Sequence, residues 1–170
     1  LSPSQTANLT QTKVVGVVAE VPGVDGLVGA ATVAFDPLQV DGELLPSAFL
    51  ENLKVHHAYR GRGLGTQLAQ WRVAKARERF GSEGIILTGT SSDNLASQNT
   101  MRKWAKQFIT TLRTVPQPPR SAPPRPVVGL RVRPAEQGDF EEAAARSNRV
   151  YAGYNLYPPF TAEALDGALG

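Results

Sequence analysis

The chain has 170 residues, of which 41% are hydrophobic, enough for one well-buried domain or for one domain and part of a second. Its net charge of +3 is too small to favour nucleic-acid binding, and no apolar run approaches the ~20 residues of a membrane span. The absence of cysteine excludes disulfides, thiolate nucleophiles and cysteine metal sites, and it fits a reducing compartment. We therefore expect a cytoplasmic protein that contacts neither nucleic acid nor membrane and needs no metal.

The first part of the chain predicts an alternation of strands and helices. β-branched and apolar runs indicate strands, and apolar residues at helical spacing indicate helices. The predicted elements are strands at 12–20 and 27–35 that form a hairpin, a loop at 36–46, a strand at 49–55, a helix after the turn at 60–65 that ends at Gly81, and a short strand at 85–87. On the helix, Leu64, Leu68, Trp71 and Ala74 are expected to face the core, with arginine and lysine elsewhere.

The second part is interrupted by a proline-rich segment. A helix at 95–108 and a strand at 109–115 precede it, and residues 116–126 (PQPPRSAPPRP) favour an extended, semi-rigid spacer. The same segment is also compatible with an SH3-type ligand. After it we predict a strand at 127–132, a helix at 136–150, an aromatic loop at 151–160 and a last helical piece capped by Thr161.

A glycine-rich turn between the strand at 49–55 and the following helix indicates an anion site. Glycines let the backbone approach a phosphate closely, and the free N–H groups at a helix start point towards it. A dinucleotide fingerprint requires a third glycine three places after Gly65, where this chain has Leu68. The Walker lysine of nucleoside triphosphatases is missing as well. We therefore expect a phosphate-containing ligand other than a dinucleotide or a nucleoside triphosphate.

The spacing Arg60-x-x-Gly63-x-Gly65 resembles the Gln/Arg-x-x-Gly-x-Gly/Ala motif of the GNAT superfamily of N-acetyltransferases. The order of elements over residues 12–115 is similar to that family too. The resemblance implies an α/β fold in which a mixed central sheet is flanked by helices and two strands splay apart to form an acetyl-CoA cleft. It also implies acetyl-CoA as co-substrate and a small-molecule or peptide amine as acceptor.

By this resemblance, backbone amides of the turn hold the coenzyme A pyrophosphate, and the preceding strand contacts the pantetheine arm. On the strand, the implied donor-site residues are Leu53 and Val55. In the turn and at the start of the helix they are Arg60, Gly61, Arg62, Gly63, Leu64, Gly65 and Thr66. On the second helix they are Asn94 (or Asn99) and Ser97. A solvated surface pair is the alternative for Arg60 and Arg62.

Glu51 is the candidate general base. An ammonium group has a pKa near ~10.4 and must lose a proton before it attacks a thioester, and a nearby carboxylate can accept that proton. Period-two alternation places Glu51, Leu53 and Val55 on one face of their strand. A glutamate paired with a lysine or arginine is an equally weighted alternative.

Two further features limit the resemblance. The family often has a tyrosine on the second helix that protonates the leaving thiolate, but no tyrosine lies between Thr88 and Phe108, where Met101 and Trp104 favour a core role. Either water replaces that acid, or the domain is a non-catalytic acyl-CoA-binding or scaffolding unit. His56 and His57 adjoin the turn, and as neighbours at a strand end they are expected to point in opposite directions.

The segment after the linker resembles the opening strand and helices of a GNAT domain. That resemblance implies acceptor-side roles for Tyr151, Tyr154 and Tyr157, against the alternative of an aromatic cluster that packs on its own domain. We therefore divide the chain into a coenzyme A-binding core at 1–115, a linker at 116–126 and an opening piece at 127–170. Either the chain is a fragment of a tandem protein, or the late piece completes the core in permuted order. Oligomeric state stays open between a monomer and a homodimer.

Overall fold

A computed structural model describes residues 13–111 and 127–169. Its strands are β1 (Lys13–Ala19), β2 (Gly29–Phe35), β3 (Leu38–Val40), β4 (Glu43–Leu45), β5 (Ser47–Val55) and β6 (Ile85–Leu87). Its α-helices are α1 (Leu64–Phe80), α2 (Leu95–Met101), α3 (Phe140–Tyr151) and α4 (Ala162–Leu169), with short 3-10 helices at His57–Tyr59 and Gln137–Asp139. No helix in these two ranges is long and apolar enough to cross a membrane.

The main sheet has four strands in the order β1-β2-β5-β6. The first two pairs are antiparallel and the β5–β6 pair is parallel, so the predicted mixed sheet and its opening hairpin are confirmed. One face of the sheet packs on α1 through Val33, Leu50 and Ala76, which are at most 2% exposed. On the opposite face Val18 and Phe49 are 55% and 42% exposed.

Helix α1 follows its predicted range, but its buried face differs from the expectation. The buried residues are Leu68, Ala69, Arg72 and Ala76, while Ala74 is exposed. An arginine therefore occupies a position on the core side of the helix, where the sequence pattern placed only apolar residues.

Several predicted elements are corrected by the structure. The loop at 36–46 contains the β3–β4 hairpin, whose turn at Asp41 and Gly42 has φ values of 50° and 86°. Asp-Gly favours such turns because both positions accept positive φ, so the signal was present in the sequence. The helix predicted at 95–108 ends at Met101, residues 109–111 form no strand, and the rest of that predicted strand and the linker at 116–126 lie outside the described residues.

Residues 127–132 were predicted to be a strand, and this is wrong. They form a turn and extended coil in which Val128 and Val132 are 101% and 95% exposed. A strand needs a partner for its backbone groups, and among the described residues none pairs with this segment.

The helices after the linker pack against each other and are joined by the predicted aromatic loop. Asn148 holds the loop by accepting a hydrogen bond from Phe160 N and donating one to Phe160 O, both at 2.9 Å. The predicted cap is confirmed, since Thr161 Oγ1 accepts a hydrogen bond from Ala164 N at 3.1 Å.

Four hydrogen bonds attach the loop of this helical pair to the β3–β4 hairpin. Gln39 N donates to Tyr157 O at 2.9 Å and Leu156 N donates to Gln39 O at 2.8 Å. Asp41 N donates to Asn155 Oδ1, and Asn155 Nδ2 donates to Asp41 Oδ1, each at 2.8 Å. The segment after the linker thus packs on the first part of the chain.

An arginine–carboxylate fork precedes α3 and predicts an unusual titration. Arg133 Nη1 and Nη2 donate to the two carboxylate oxygens of Asp139 at 2.6 and 2.8 Å, and Glu136 N donates to Asp139 Oδ2 at 2.8 Å. The hydrogen bonds from Arg133 and then Glu136 lower the pKa of Asp139 from 3.8 to about 2.

We expect NMR titration of the carboxyl carbon to give that midpoint, and R133M to return it towards 3.8. Because the folded pKa is depressed, the fork's contribution to stability is present above 3.8 and lost as the pH falls through about 2. R149M removes an exposed arginine of α3 that is not part of the fork, and it should leave the titration of Asp139 unchanged. An unaltered Asp139 midpoint in R133M would rule out the fork as the cause.

Candidate functional site

The glycine-rich turn connects the end of β5 to α1 through two left-handed residues. Gly61 and Gly63 have φ values of 75° and 84°, which side-chain-bearing residues rarely adopt. A Cβ at either position would meet no atom within 4 Å, so the turn's outer surface is open. Gly63 is the N-cap residue of α1, whose first N–H groups therefore face that surface.

The turn is held against the end of β5 by arginine and backbone contacts. Arg60 Nε donates to Val55 O at 3.1 Å, and His56 N donates to Val28 O at 2.8 Å. Arg62 lies over the ring of Tyr59, with its guanidinium carbon 5.3 Å from the ring centre. Arg60 therefore makes a structural hydrogen bond, and its phosphate role stays a prediction.

The start of α1 approaches the sheet closely because Gly29 has no side chain. A Cβ on Gly29 would lie 3.0 Å from a methyl carbon of Leu68 and 3.3 Å from one of Leu64. Leu53 and Val55 face the same helix, since they are the side chains nearest to a Cβ built on Gly65. The side chains of Leu53, Val55 and Leu64 thus serve packing between the strand and the helix.

A bulge in β5 places Glu51 on a different face from Leu53 and Val55. Ala30 pairs with Lys54 whereas Thr32 pairs with Glu51, so β5 has one residue more than β2 in this interval. Asn52, in the bulge, has a φ of 51°. The prediction that Glu51 shares a face with Leu53 and Val55 is therefore wrong. Glu51 lies on the face opposite α1, where partial burial raises its pKa above the ordinary 4.5.

Strands β5 and β6 separate just before Glu51. Their pairing covers Ser47 to Phe49, and the hydroxyl of Thr88 then donates to Leu50 O at 2.8 Å. Beyond this point, β5 continues to Val55 without a β6 partner. The result is the splayed arrangement expected from the sequence: a free edge of β5, unpaired by any other described strand, that leads from Glu51 to the glycine-rich turn.

Lys103 is a site residue that the sequence reasoning missed. It follows α2, and its ammonium group donates to Thr66 Oγ1 at 3.0 Å, which places a positive charge beside the first turn of α1. A lysine 37 residues away in the chain gives no local pattern, so only the tertiary structure reveals it.

The polar residues predicted on the second helix have local partners. Asn94 caps α2 by accepting a hydrogen bond from Ser97 N at 3.0 Å, and Asn99 accepts one from Arg102 at 3.3 Å. Ser97 Oγ lies 3.8 Å from the sulfur of Met101. Their predicted cofactor contacts stay predictions. Trp104 packs against the core, as expected.

The histidines beside the turn do not point in opposite directions. His57 begins a 3-10 helix rather than continuing the strand, and the two ring centres are 4.3 Å apart. His56 Nδ1 accepts a hydrogen bond from Ala58 N at 3.4 Å. Within the described ranges, no three histidine or acidic side chains are grouped so that they could hold a metal ion.

The three candidate acceptor-side tyrosines form a cluster of their own. The ring of Tyr151 lies 5.7 Å from Tyr154, 5.3 Å from Tyr157 and 5.4 Å from Phe160. Tyr157 pairs with Gln39 in the hairpin that precedes β5, whereas the glycine-rich turn follows β5. Among the described residues, no hydrogen bond or ring contact joins these tyrosines to Glu51 or to the turn.

Comparison with known proteins identifies the family. The family model described as "Acetyltransferase (GNAT) family" matches residues 5–105, more than half of the chain. The chain belongs to the GNAT acetyltransferase family. A comparison with curated proteins found no significant match.

Solved structures support the GNAT fold. One is described as a putative acetyl transferase from Pyrococcus furiosus, with 21% identity, a TM-score of 0.52, and coverage of 62% of this chain and 67% of that one. Another is a transcriptional regulator from Bacillus halodurans C-125, with 25% identity, a TM-score of 0.50, and coverage of 60% and 65%. The matched regions thus cover about two thirds of the length of each of these two chains.

Proposed function

We propose that the chain is an N-acetyltransferase that uses acetyl-CoA as co-substrate and acetylates a primary amine by direct attack in a ternary complex. The observation that supports this most is the free edge of β5, which begins beside Glu51 and ends at the open glycine-rich turn. Family membership supplies the reaction class. A small-molecule or peptide amine is the proposed acceptor.

The turn fits the charged end of coenzyme A. The N–H groups at the start of α1 and the helix dipole favour a pyrophosphate, and the open space outside Gly61 and Gly63 leaves room for it. Positive charge lies close to the turn as well: Lys103 contacts Thr66 in the first turn of α1, and Arg62 lies over the ring of Tyr59. The backbone of Leu53 and Val55 would contact the pantetheine arm along the free edge.

In the proposed reaction, the amine nitrogen attacks the thioester carbonyl after the Glu51 carboxylate removes its proton, directly or through water. The new C–N bond forms and the C–S bond breaks. The attacking nitrogen then gives up its second proton, which water carries to the leaving thiolate, because the described α2 contains no tyrosine. Burial raises the pKa of Glu51, which brings its basicity closer to that of the amine.

Lys103 gives a prediction for the donor site. K103M is expected to weaken coenzyme A binding about threefold to tenfold at low salt, and by less at high salt, because an exposed charge beside Thr66 is screened. K106M, an exposed lysine three residues later, is the matched control and should change affinity less than twofold. Equal effects of the two variants would show that only net charge matters.

A non-catalytic acyl-CoA-binding or scaffolding role is the second candidate, and the lack of a tyrosine on α2 favours it. Release of free thiol from acetyl-CoA, measured with a panel of primary amines, separates the two. Thiol release that depends on an amine supports the enzyme. Tight binding of acetyl-CoA without amine-dependent release supports the scaffolding role.

We also propose that residues 127–170 begin a second GNAT unit of a tandem protein. A permuted completion of the first unit would place residues 127–132 in the sheet, yet this segment is exposed and pairs with no described strand. The helical pair is held at the β3–β4 hairpin instead. Tyr151, Tyr154 and Tyr157 would then line an acceptor site of the second unit rather than of the first.

A further inference from the structure

Arg72 is a cation buried between α1 and β5. It is 4% exposed and lies among the core-facing residues of the helix. Within the described parts of the chain, no carboxylate forms an ion pair with it, and burial lowers its pKa below the ordinary 12.5. A buried charge without a counter-ion costs free energy, so packing alone does not explain an arginine at this position.

The guanidinium group contacts the backbone of the bulge. Arg72 Nη1 donates to Glu51 O at 3.1 Å, and its Nε is buried without a hydrogen-bond partner among the described residues. Glu51 O belongs to the peptide group that joins Glu51 to Asn52. Regular pairing of β5 with β2 is interrupted at this peptide, and Arg72 supplies a donor to its carbonyl group.

The bulge is also held from the other face of the sheet. Asn52 Nδ2 donates to Thr32 Oγ1 at 3.3 Å, and the φ of 51° at Asn52 is strained for a residue with a side chain. A strained conformation persists only where its surroundings fix it. Arg72 on one face and Thr32 on the other provide two such contacts.

The position of this bulge along β5 connects it to the donor site. Thr88, directly after β6, donates a hydrogen bond to Leu50 O of β5. The next peptide group along β5, which joins Glu51 to Asn52, is the one that Arg72 contacts. The bulge therefore sets the face of Leu53 and Val55 relative to the Glu51 carboxyl group, and with it the course of the free edge up to Val55.

We propose that Arg72 is a positioning residue that fixes the bulge at Asn52, and thereby holds the Glu51 carboxyl group and the free edge of β5 in the geometry that acyl transfer needs. This inference rests on the proposed function of that edge as the acetyl-CoA site. Arg72 touches neither reactant and acts through the backbone of Glu51.

The test compares R72M, R72K and R77M. Methionine keeps much of the length and apolar packing of arginine but has no donor, and replacing a buried charge by an apolar residue is often neutral for stability. Arg77 is the matched control, because it lies on the same helix and donates to a backbone carbonyl, Gly81 O, at 3.0 Å, but away from β5. Two quantities are measured: amide hydrogen exchange of residues 51–55, and the dissociation constant of acetyl-CoA.

We expect R72M to exchange at least tenfold faster at residues 51–55 and to bind acetyl-CoA about tenfold more weakly. R72K keeps the charge and one donor group, so its exchange rate at residues 51–55 and its acetyl-CoA affinity should lie between those of R72M and the wild type. Both quantities should stay within twofold of the wild type in R77M. Wild-type affinity in R72M, or unchanged exchange at 51–55, would overturn the positioning role.

If R72M does not fold, R72K decides: wild-type affinity despite faster exchange at 51–55 would overturn the proposal. A folded wild-type chain that does not bind acetyl-CoA would overturn the proposed function, and the role of Arg72 with it. The two failures are distinguishable, because only the second is seen in the wild type.

Discussion

E51Q is expected to lower kcat/KM for acetyl transfer by about 10²- to 10⁴-fold, the range typical of a lost general base, and to leave acetyl-CoA affinity within about twofold. Glutamine keeps the shape of the side chain but cannot accept a proton. The affinity is expected to survive because the proposed contact of the donor's charged end is the glycine-rich turn, which begins at Arg60, beyond the end of β5. Amine-dependent thiol release and calorimetry give the two quantities.

The pH dependence provides a second signature of Glu51. Burial raises the pKa of this carboxyl group, so the wild-type rate should fall as the pH drops through that raised pKa, and E51Q should lose this part of the profile. Because the folded pKa is raised, ionisation of Glu51 lowers stability as the pH rises through it, so E51Q should not be less stable at neutral pH. E83Q, at an exposed glutamate, is the control. Equal kcat/KM in E51Q and the wild type would exclude Glu51 as the base.

G63A is expected to weaken acetyl-CoA binding by about tenfold or more. The φ of 84° at Gly63 costs an alanine about 1–2 kcal/mol, so the turn should leave the conformation that presents the amides at the start of α1. The turn is exposed, and the core beneath α1 stays intact, so thermal unfolding should show a folded protein. Calorimetric titration measures the loss.

G65A is the matched control for this prediction. Gly65 lies inside the first turn of α1, and a Cβ there would make an ordinary 3.8 Å contact with the side chain of Val55. We expect its affinity for acetyl-CoA within about threefold of the wild type. If G65A lost as much affinity as G63A, backbone strain at Gly63 would not be the cause.

The elements that the sequence predicted well are those with strong local patterns. The amphipathic spacing of α1 and its flanking glycines predicted its range, and the apolar triplet at Ile85–Leu87 predicted β6. The glycine-rich turn was predicted with its surroundings because strand, glycines and helix are consecutive in the chain. Segments that need a distant partner were predicted less well: residues 127–132 have strand-forming side chains but no described strand beside them.

The arrangement of the candidate catalytic side chain could not be predicted from alternation. A single extra residue in β5 separates the face of Glu51 from that of Leu53 and Val55, and Asn52 is a tolerated but uncommon choice for the left-handed position. Arg72 was placed on the exposed side of α1, since a charged residue is usually solvated. Its burial depends on the carbonyl group that the bulge turns towards the helix, which local sequence does not reveal. The roles assigned to Arg60, Asn94 and the tyrosines, and the cytoplasmic location, stay predictions.

Calorimetric titration of the wild-type chain with acetyl-CoA tests the central claim most directly. The claim is that the turn after β5 and the free edge before it bind acetyl-CoA. We predict saturable binding with one acetyl-CoA per chain, competed by free coenzyme A and weakened in G63A. A chain shown to be folded by circular dichroism that gives no binding heat and no protection of the turn amides would contradict it.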